Sequence, residues 1–567
     1  MFGKLKRKMK GSRADPPDID LSSPEHIDCI RHIAERAKTS RVAIHFESLN
    51  EQPKELEIHL HEGVGDQNAQ PSSTVQSHTT QQELYGIASY AKILINAAFT
   101  RLVDHPQYEY HRISWHESAC DLFNDLRRKK KKTTIKRLWG NPSLRQMLSH
   151  VNGFAPMDRY LLAPDATCIM SEAEFLEDGP RITEDRYKHA YPNRGWQEYS
   201  NGNHIFAGII LQEVMETDMQ TAMKELLFDC IGLSETMFSE SALAASETPL
   251  AVVTGHRISN PADVAVDVPV RYLSDVVEAS AFGARSSLRD IAKFNRELLG
   301  SITSGVQGAF SENSMAEFFK PEYKLLGTGA SSTGASTLAG LYATLDTTVP
   351  GEESSNNDFR KANGIVAYRL GRRADGSPCS VYYKAGVIDG FAISVYLLVK
   401  DRAFLIVACN SSGPLDPTDH IAKYILHQNF ALHRQINFLQ RVNYELDFAL
   451  AHINKVTAKH NLSASSSQDV RHLAGVYQHV RYTQRLVIKE NGDITIGGKA
   501  KESLTFKLVL ENPERFRICQ GVTKFASGSW FEWQDLDFEI RYDPIGNMEL
   551  VGRSGCDLFR RVQTEHS

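Results

Sequence analysis

Apolar positions along the chain change period several times, and each change marks a passage from one kind of structure to another. HIDCIRHIAERAKT (26–39) carries helical spacing, and RVAIHFESL followed by KELEIHLHEG reads as two strands joined by a polar turn at Pro53. A stretch rich in Gln, Ser, Thr and His (65–82) then interrupts the pattern and reads as a mobile loop. Helical patterns return at YGIASYAKILINAAF and WQEYSNGNHIFAGIILQEVMET, where Ile205, Ile209, Ile210 and Val214 outline an amphipathic face. CSVYYKAGVIDGFAISVYLLV is instead a pair of apolar, β-branched and aromatic strands. Residues 419–458 are helical once more, with Ile421, Ile425, Phe438, Val442, Leu446 and Leu450 among the apolar positions.

Beyond HNLSASSSQDV (460–470), which has linker composition, the pattern becomes alternating. Three hairpins follow, around Asn491-Gly492, Asn512-Pro513 and Pro544 to Asn547, so a small antiparallel barrel is expected from residue 468 onward. The predicted organisation is a flexible basic tail (1–18), a large mixed domain (19–430), a helical connector and linker (431–467) and the barrel (468–567).

Composition narrows the function classes. The 567 residues are 41% hydrophobic, enough for cores in two or three domains. A formal net charge of -5 speaks against a nucleic-acid binder, which needs a concentrated basic surface. No apolar run reaches the eighteen or so residues of a membrane span, and the basic N-terminus lacks the apolar core of a secretory signal, so a cytoplasmic location is expected. The eight cysteines are dispersed without a Cys-x-x-Cys and read as free, mostly buried thiols. RRKKKKTTIKR (127–137) reads as a solvated insertion, with a nuclear address or an anion site as alternatives. His105, His111 and His116 match no common zinc spacing, and no metal is expected. GTGASSTGAST (327–337) lacks the Gly-Lys-Ser/Thr ending of a phosphate loop and reads as a flexible turn.

The candidate chemistry is concentrated in three places. Ser89 and Lys92 form the only Ser-x-x-Lys pair in the chain, at the start of a helical pattern, where residues three apart share a face. A lysine amine made neutral by burial can take the proton of a serine hydroxyl, so Ser89 is a candidate nucleophile. The blander alternative is a serine at a helix N-cap with its lysine in solvent. Tyr199, Ser200 and Asn201 stand just before the second helix, where a phenol and a carboxamide can point into a cleft. A second Tyr-x-Asn at Tyr191 and Asn193 lies in a loop with no helix following. Lys384, Ala385 and Gly386 follow a strand pattern, which puts Lys384 on a strand edge with a glycine that permits close approach of substrate. No Gly-x-Ser-x-Gly elbow occurs.

In that order, Ser-x-x-Lys, Tyr-x-Asn and Lys-x-Gly, the chain resembles the serine hydrolases of the β-lactamase and penicillin-binding-protein family, above all the class C branch with its esterase, D-aminopeptidase and acyltransferase relatives. PSLRQMLSHVNGF (142–154) and ASAFGARSSLRDIAKFNRELL (279–299) resemble supporting segments of that family, and Ser287 with Asp290 has the form of a helix cap. The likeness covers roughly residues 25–430. It implies an α/β (α+β) fold, β-lactamase/transpeptidase-like, with a central antiparallel sheet flanked by helices and here followed by a lipocalin-like barrel. Structural support is the expected role of that barrel, with substrate gating as the alternative.

The resemblance further implies an acyl-enzyme on Ser89, with Lys92 or Tyr199 as base, Lys384 as a second amine, Asn201 orienting Lys92 or the substrate, and the backbone N–H groups of Ser89 and Val387 holding the oxyanion beside Gly386. No metal or organic cofactor is called for. The expected partner is a small-molecule or short-peptide substrate, with no nucleic acid and no membrane, and nothing in the pattern bears on oligomeric state. Ala385 stands where many β-lactamases carry a hydroxyl, which bears on recognition of a β-lactam or peptide carboxylate. Cleavage of an ester or amide is the leading expectation. Acyl transfer in secondary metabolism and a scaffold without turnover are the alternatives.

Overall fold

In the computed structural model, residues 19–562 are described apart from short loop segments and the longer stretches 61–73, 77–82, 189–197, 258–265, 269–277, 326–358, 452–468, 499–505 and 520–536. The basic tail, the turn at 327–337, Tyr191 and Asn193 lie outside the described residues, as do most of the 65–82 and 460–470 segments. Among the described residues no helix is long and apolar enough to cross a membrane.

A nine-stranded sheet forms the centre. In chain order its strands are β1 (Arg41–Ser48), β2 (Lys54–His59), β3 (Thr74–Gln76), β4 (Tyr323–Leu325), β5 (Phe359–Ala362), β6 (Ile365–Arg372), β7 (Pro378–Ile388), β8 (Phe391–Leu398) and β9 (Ala403–Cys409). Across the sheet they run β4-β5-β6-β7-β8-β9-β1-β2-β3, all pairs antiparallel. The N-terminal hairpin predicted from the sequence is therefore stitched onto the last strand of the sheet, with Val42 opposite Cys409. Part of the 65–82 segment, Thr74–Gln76, extends the sheet instead of looping.

Strands β8 and β9 are apolar at nearly every position because both faces of the sheet are covered, and alternate side chains enter different cores. Phe391, Ile393, Val395, Phe404 and Ile406 face the larger core, built with the helices Ala91–Asp104, Asn201–Met215 and Leu288–Thr303. Ala392, Tyr396, Leu398, Leu405 and Val407 face the opposite core with the helices Pro24–Arg36 and Pro417–Asn429. Ser23 caps the first of these helices and Pro24 opens it, so the boundary is written in the local sequence. The helix from Pro417 stops at Asn429, while Phe438, Val442 and Leu446 of the expected connector pack into the same core.

The C-terminal part is a closed antiparallel barrel of eight strands, β10 (Gly475–His479), β11 (Arg485–Ile488), β12 (Asp493–Gly497), β13 (Phe506–Asn512), β14 (Arg515–Cys519), β15 (Asp537–Tyr542), β16 (Met548–Gly552) and β17 (Leu558–Val562). Pairing of Val476 with Val562 closes it, which leaves no edge strand. All three hairpins expected from the sequence are present, with Gly492 and Gly546 at φ +79° and +87° in their turns. Ile169, from the larger domain, contributes to the barrel core beside Leu473 and Leu486.

The basic run 127–137 is largely exposed, as its composition suggested, but it is anchored by ion pairs. Arg127, Lys130 and Lys132 converge on the mostly buried carboxylate of Glu213, at 3.1, 3.3 and 3.0 Å. Lys136 pairs with Glu184 and Arg137 with Asp121, so with the Glu213 cluster the run ties the helix Ala119–Lys129 to the helices Glu172–Tyr187 and Asn201–Met215. The six described cysteines are free thiols, most of them buried, and no described group of His, Cys, Asp and Glu could hold a metal.

Candidate active site

The strand Glu83–Gly86 delivers the chain to a 3-10 turn, Ala88–Tyr90, which runs directly into the helix Ala91–Asp104. Ser89 sits in this turn, ahead of the helix cap position at Tyr90. Ala88, immediately before it, has φ +46°, a left-handed backbone that costs a residue with a Cβ about 1 kcal/mol or more. The surroundings enforce the turn: Ile87 N–H donates to the carbonyl of Ala284, and Gly86 pairs with Arg285.

Lys92 lies in the first turn of the helix and is completely buried. Its Nζ is 3.0 Å from Ser89 Oγ and also donates to the carbonyl of Ala281, in the small-residue segment 279–283. Burial, reinforced by the charge of Lys384, pushes its pKa well below that of an ordinary lysine, while Asp158 opposes the shift. The shift favours the neutral, proton-accepting form of the amine.

Tyr199 approaches from the start of the helix Asn201–Met215 and donates its hydroxyl to Ser89 Oγ at 2.8 Å. Burial raises its pKa above the usual phenol range despite that hydrogen bond, so it stands as a phenol. Both amines flank its ring, with Lys92 Nζ 5.1 Å and Lys384 Nζ 5.3 Å from the centroid.

Lys384, Gly386 and Val387 belong to β7. Its pairing to β6 ends at Tyr383 with Val366, while its pairing to β8 continues through Ile388 with Phe391. Lys384 therefore occupies a local edge of an interior strand. The space beside it is filled by the turn that carries Ser89. A Cβ on Gly386 would lie 2.3 Å from Ile87 O and 3.0 Å from Ser89 N. The sequence expectation that this glycine admits substrate is corrected by that contact: it admits the backbone of Ile87 to Tyr90. Val387, next along, is exposed.

Asn201 is placed differently from its expected orienting role toward Lys92. Its Nδ2 donates to both carboxylate oxygens of Asp158, at 2.9 and 3.0 Å, and its buried Oδ1 has no hydrogen-bond partner. Ser287 Oγ does cap the helix Leu288–Thr303 by accepting from Asp290 N–H, but the Asp290 carboxylate turns to Glu235 N–H and the Thr236 hydroxyl. The expected reciprocal cap is half formed because that carboxylate is recruited to a neighbouring loop.

Three residues that the sequence reading did not single out complete the site. Asp158 opens a short helix, Asp158–Leu161, and burial raises its pKa against the lowering influence of Asn201 and Lys92. Asn203 accepts from Phe154 N–H at 2.6 Å and donates to Asn152 O at 3.2 Å, seating the turn of 142–154 on the Tyr199 helix. A Cβ on Gly153, at φ +105°, would fall 2.1 Å from Asn203 Oδ1. His204, fully buried with Nε2 3.0 Å from Asn96 Oδ1, stacks behind His150, which packs against the Tyr199 ring at 4.4 Å. Burial and both lysines hold His204 neutral. Position Asn203, two residues past the Tyr-x-Asn triplet, was within reach of a sequence argument through its neighbouring Gly153. Nothing in the local pattern marks Asp158.

Comparison with known proteins follows from this geometry. Among curated proteins none matches the chain. Solved structures similar to it include an octameric penicillin-binding protein homologue from Pyrococcus abyssi (14% identity, 95% of this chain and 99% of that one covered, TM-score 0.49). Also similar are a class C beta lactamase from Rhodobacter sphaeroides (15%, 76% and 100%, TM-score 0.45) and a D-amino acid amidase from Ochrobactrum anthropi SV3 (16%, 76% and 99%, TM-score 0.44). The beta-lactamase family model matches residues 57–430, a span that contains Ser89, Lys92, Tyr199 and Lys384. With more than half its length so matched, the chain belongs to the beta-lactamase family, and with it to the serine hydrolases of amide and ester bonds.

Proposed function

We propose that the protein cleaves an ester or amide of a small molecule or short peptide through an acyl-enzyme on Ser89. The observation that carries this reading is a single oxygen, Ser89 Oγ, held between the Nζ of Lys92 at 3.0 Å and the hydroxyl of Tyr199 at 2.8 Å. Lys92 is the base, because burial favours its neutral form, whereas the same burial keeps Tyr199 a phenol, which can relay a proton only by giving up its own as it accepts another.

In the acylation step Ser89 Oγ attacks the carbonyl carbon as its proton passes to Lys92 Nζ. The C–O or C–N bond to the leaving group then breaks, and the proton travels from Lys92 through the Tyr199 hydroxyl to the leaving oxygen or nitrogen. Water repeats the sequence on the ester, returning Ser89 and releasing the acid. The N–H groups of Ser89 and Val387 hold the oxyanion, where loss of one donor typically costs about 3 kcal/mol of transition-state stabilisation. Lys384 disfavours protonation of Lys92 and completes the positive field around the oxyanion. The residues present provide nucleophile, base and proton carrier.

Initial rates on p-nitrophenyl acetate test this assignment. Ser89→Ala is expected to lower kcat/KM by roughly 10⁴-fold or more while the circular dichroism and melting curve keep their wild-type form. Retention of wild-type rates would remove Ser89 from the mechanism.

A further inference from the structure

The turn between the helix Leu144–Leu148 and Phe154 has an uncommon backbone. His150 and Asn152 stand at φ +58° and +63°, and Gly153 at +105°. A left-handed backbone is costly for a residue with a Cβ and persists only where its surroundings impose it, most often where a side chain has to be aimed. Here the surroundings do impose it. His150 N–H donates to the Met147 carbonyl at 3.0 Å and Val151 N–H to the Gln146 carbonyl at 2.8 Å, while Asn203 holds Phe154 N–H and the Asn152 carbonyl.

What this backbone aims is the imidazole of His150. The buried ring packs against the Tyr199 ring at 4.4 Å and against His204 at 5.0 Å. Its Nδ1 accepts from the N–H of Ser200, the residue directly after Tyr199, at 3.2 Å. A backbone N–H can only donate, so Nδ1 carries a lone pair, and the imidazole is neutral with its proton on Nε2. Ser200 is pinned a second time, since its Oγ donates to the Ala155 carbonyl at 3.1 Å. A ring held on its side and a peptide held just beyond it fix where the phenol hydroxyl lies, 2.8 Å from Ser89 Oγ.

Resting on the hydrolase reading above, we infer that His150 is a positioning residue for proton delivery: its ring and its Nδ1 together hold Tyr199 so that the hydroxyl meets the leaving atom as the C–O or C–N bond breaks. His150 acts through Tyr199 and donates no proton to the substrate itself. The role has a chemical signature. An ester of p-nitrophenol expels a stabilised anion that has little use for a proton, whereas an ester of benzyl alcohol needs one as its bond breaks. Loss of a positioning residue for the proton carrier therefore separates the two esters, while general damage to the fold lowers both alike.

The test measures kcat/KM for p-nitrophenyl acetate and benzyl acetate, which share an acyl group and differ in the leaving oxygen, with Tyr199→Phe as the reference for a lost proton carrier. His150→Ala is expected to lower the rate on benzyl acetate about 10-fold more than that on p-nitrophenyl acetate, and to add nothing to that ratio in a Tyr199→Phe background. His150→Asn tolerates the left-handed backbone and puts a carboxamide oxygen near the place of Nδ1, so it is expected to recover most of the ratio. Where His150→Ala does not fold, His150→Phe, which keeps a ring and lacks the acceptor, takes its place with the same expected loss. An unchanged ratio, an equal fall on both esters, a change that persists in full in the Tyr199→Phe background, or a His150→Asn ratio no better than that of His150→Ala overturns the inference. Turnover of p-nitrophenyl acetate alone by the wild-type protein, or a wild-type ratio in Tyr199→Phe, also overturns it and leaves Ser89 as nucleophile intact. Failure of both esters to acylate the wild-type protein overturns the hydrolase reading as well.

Discussion

Lys92 carries two conflicting demands, a buried position that disfavours charge and a role that needs a proton acceptor, and here the first supplies the second. A lysine in solvent is almost wholly protonated at neutral pH and cannot take a proton from serine. Complete burial and the nearby Lys384 move the amine toward its neutral form, and Asp158 restrains the shift. The sign of the pH dependence follows. On the proposed mechanism activity requires unprotonated Lys92, so kcat/KM is expected to rise as pH increases through its depressed pKa. Lys384→Met removes a positive neighbour, which makes Lys92 easier to protonate and moves the acidic limb of the profile to higher pH. A pH profile of acetate hydrolysis for both proteins checks this, and a limb that stays in place or moves to lower pH contradicts it.

At the scale of elements, the site is a meeting of a strained 3-10 turn, the end of an interior strand and the first turn of a helix. Gly386 sets the distance between the first two. Gly386→Ala would put a methyl within 2.3 Å of a backbone carbonyl that has no rotamer with which to move away. The expected result is a loss of about 1 to 3 kcal/mol in stability by chemical denaturation, together with slower acylation of Ser89. Wild-type stability and rate in that variant would mean that the turn and strand are not packed this closely.

The same scale explains what could be read from the chain alone. Ser89, Lys92, Tyr199 and Lys384 each lie at the start of an element or on a strand whose apolar pattern is strong, so their places in the fold were legible. The hairpins of the barrel were marked by their own turn residues. Asp158 was not legible, because it lies on a four-residue helix without periodicity, and its meaning comes from Asn201 more than forty residues away. Gly386 was recognised as permitting close approach, yet only the fold says what approaches. The basic run at 127–137 is largely exposed, as its composition suggested, but its anchoring was hidden for a related reason: its partner Glu213 sits on another helix, and a run of like charge shows no partner in one dimension.

In the whole molecule, the barrel is joined to the catalytic part through groups that are expensive to leave unpaired. Asp178, fully buried on the helix Glu172–Tyr187, accepts from both the N–H and the hydroxyl of Thr483 at 2.7 Å. Tyr482 donates to Asp185 at 2.6 Å, and Arg481 pairs with the same carboxylate. Ile169 also packs into the barrel core. Thr483→Val keeps the shape and the N–H bond but removes the hydroxyl, and is expected to cost about 1 to 3 kcal/mol in equilibrium unfolding. An unchanged unfolding midpoint would show that the barrel contact is not part of the cooperative structure.

All of these scales converge on one oxygen, and the most direct measurement is the location of the acyl group. The protein is mixed with a p-nitrophenyl ester, quenched in acid within the first turnover, weighed intact and then mapped by peptide mass spectrometry. The account predicts one acyl mass added per chain, carried by the peptide containing Ser89, and no addition in Ser89→Ala. An adduct on any other residue, or one that persists at full stoichiometry in Ser89→Ala, would contradict it.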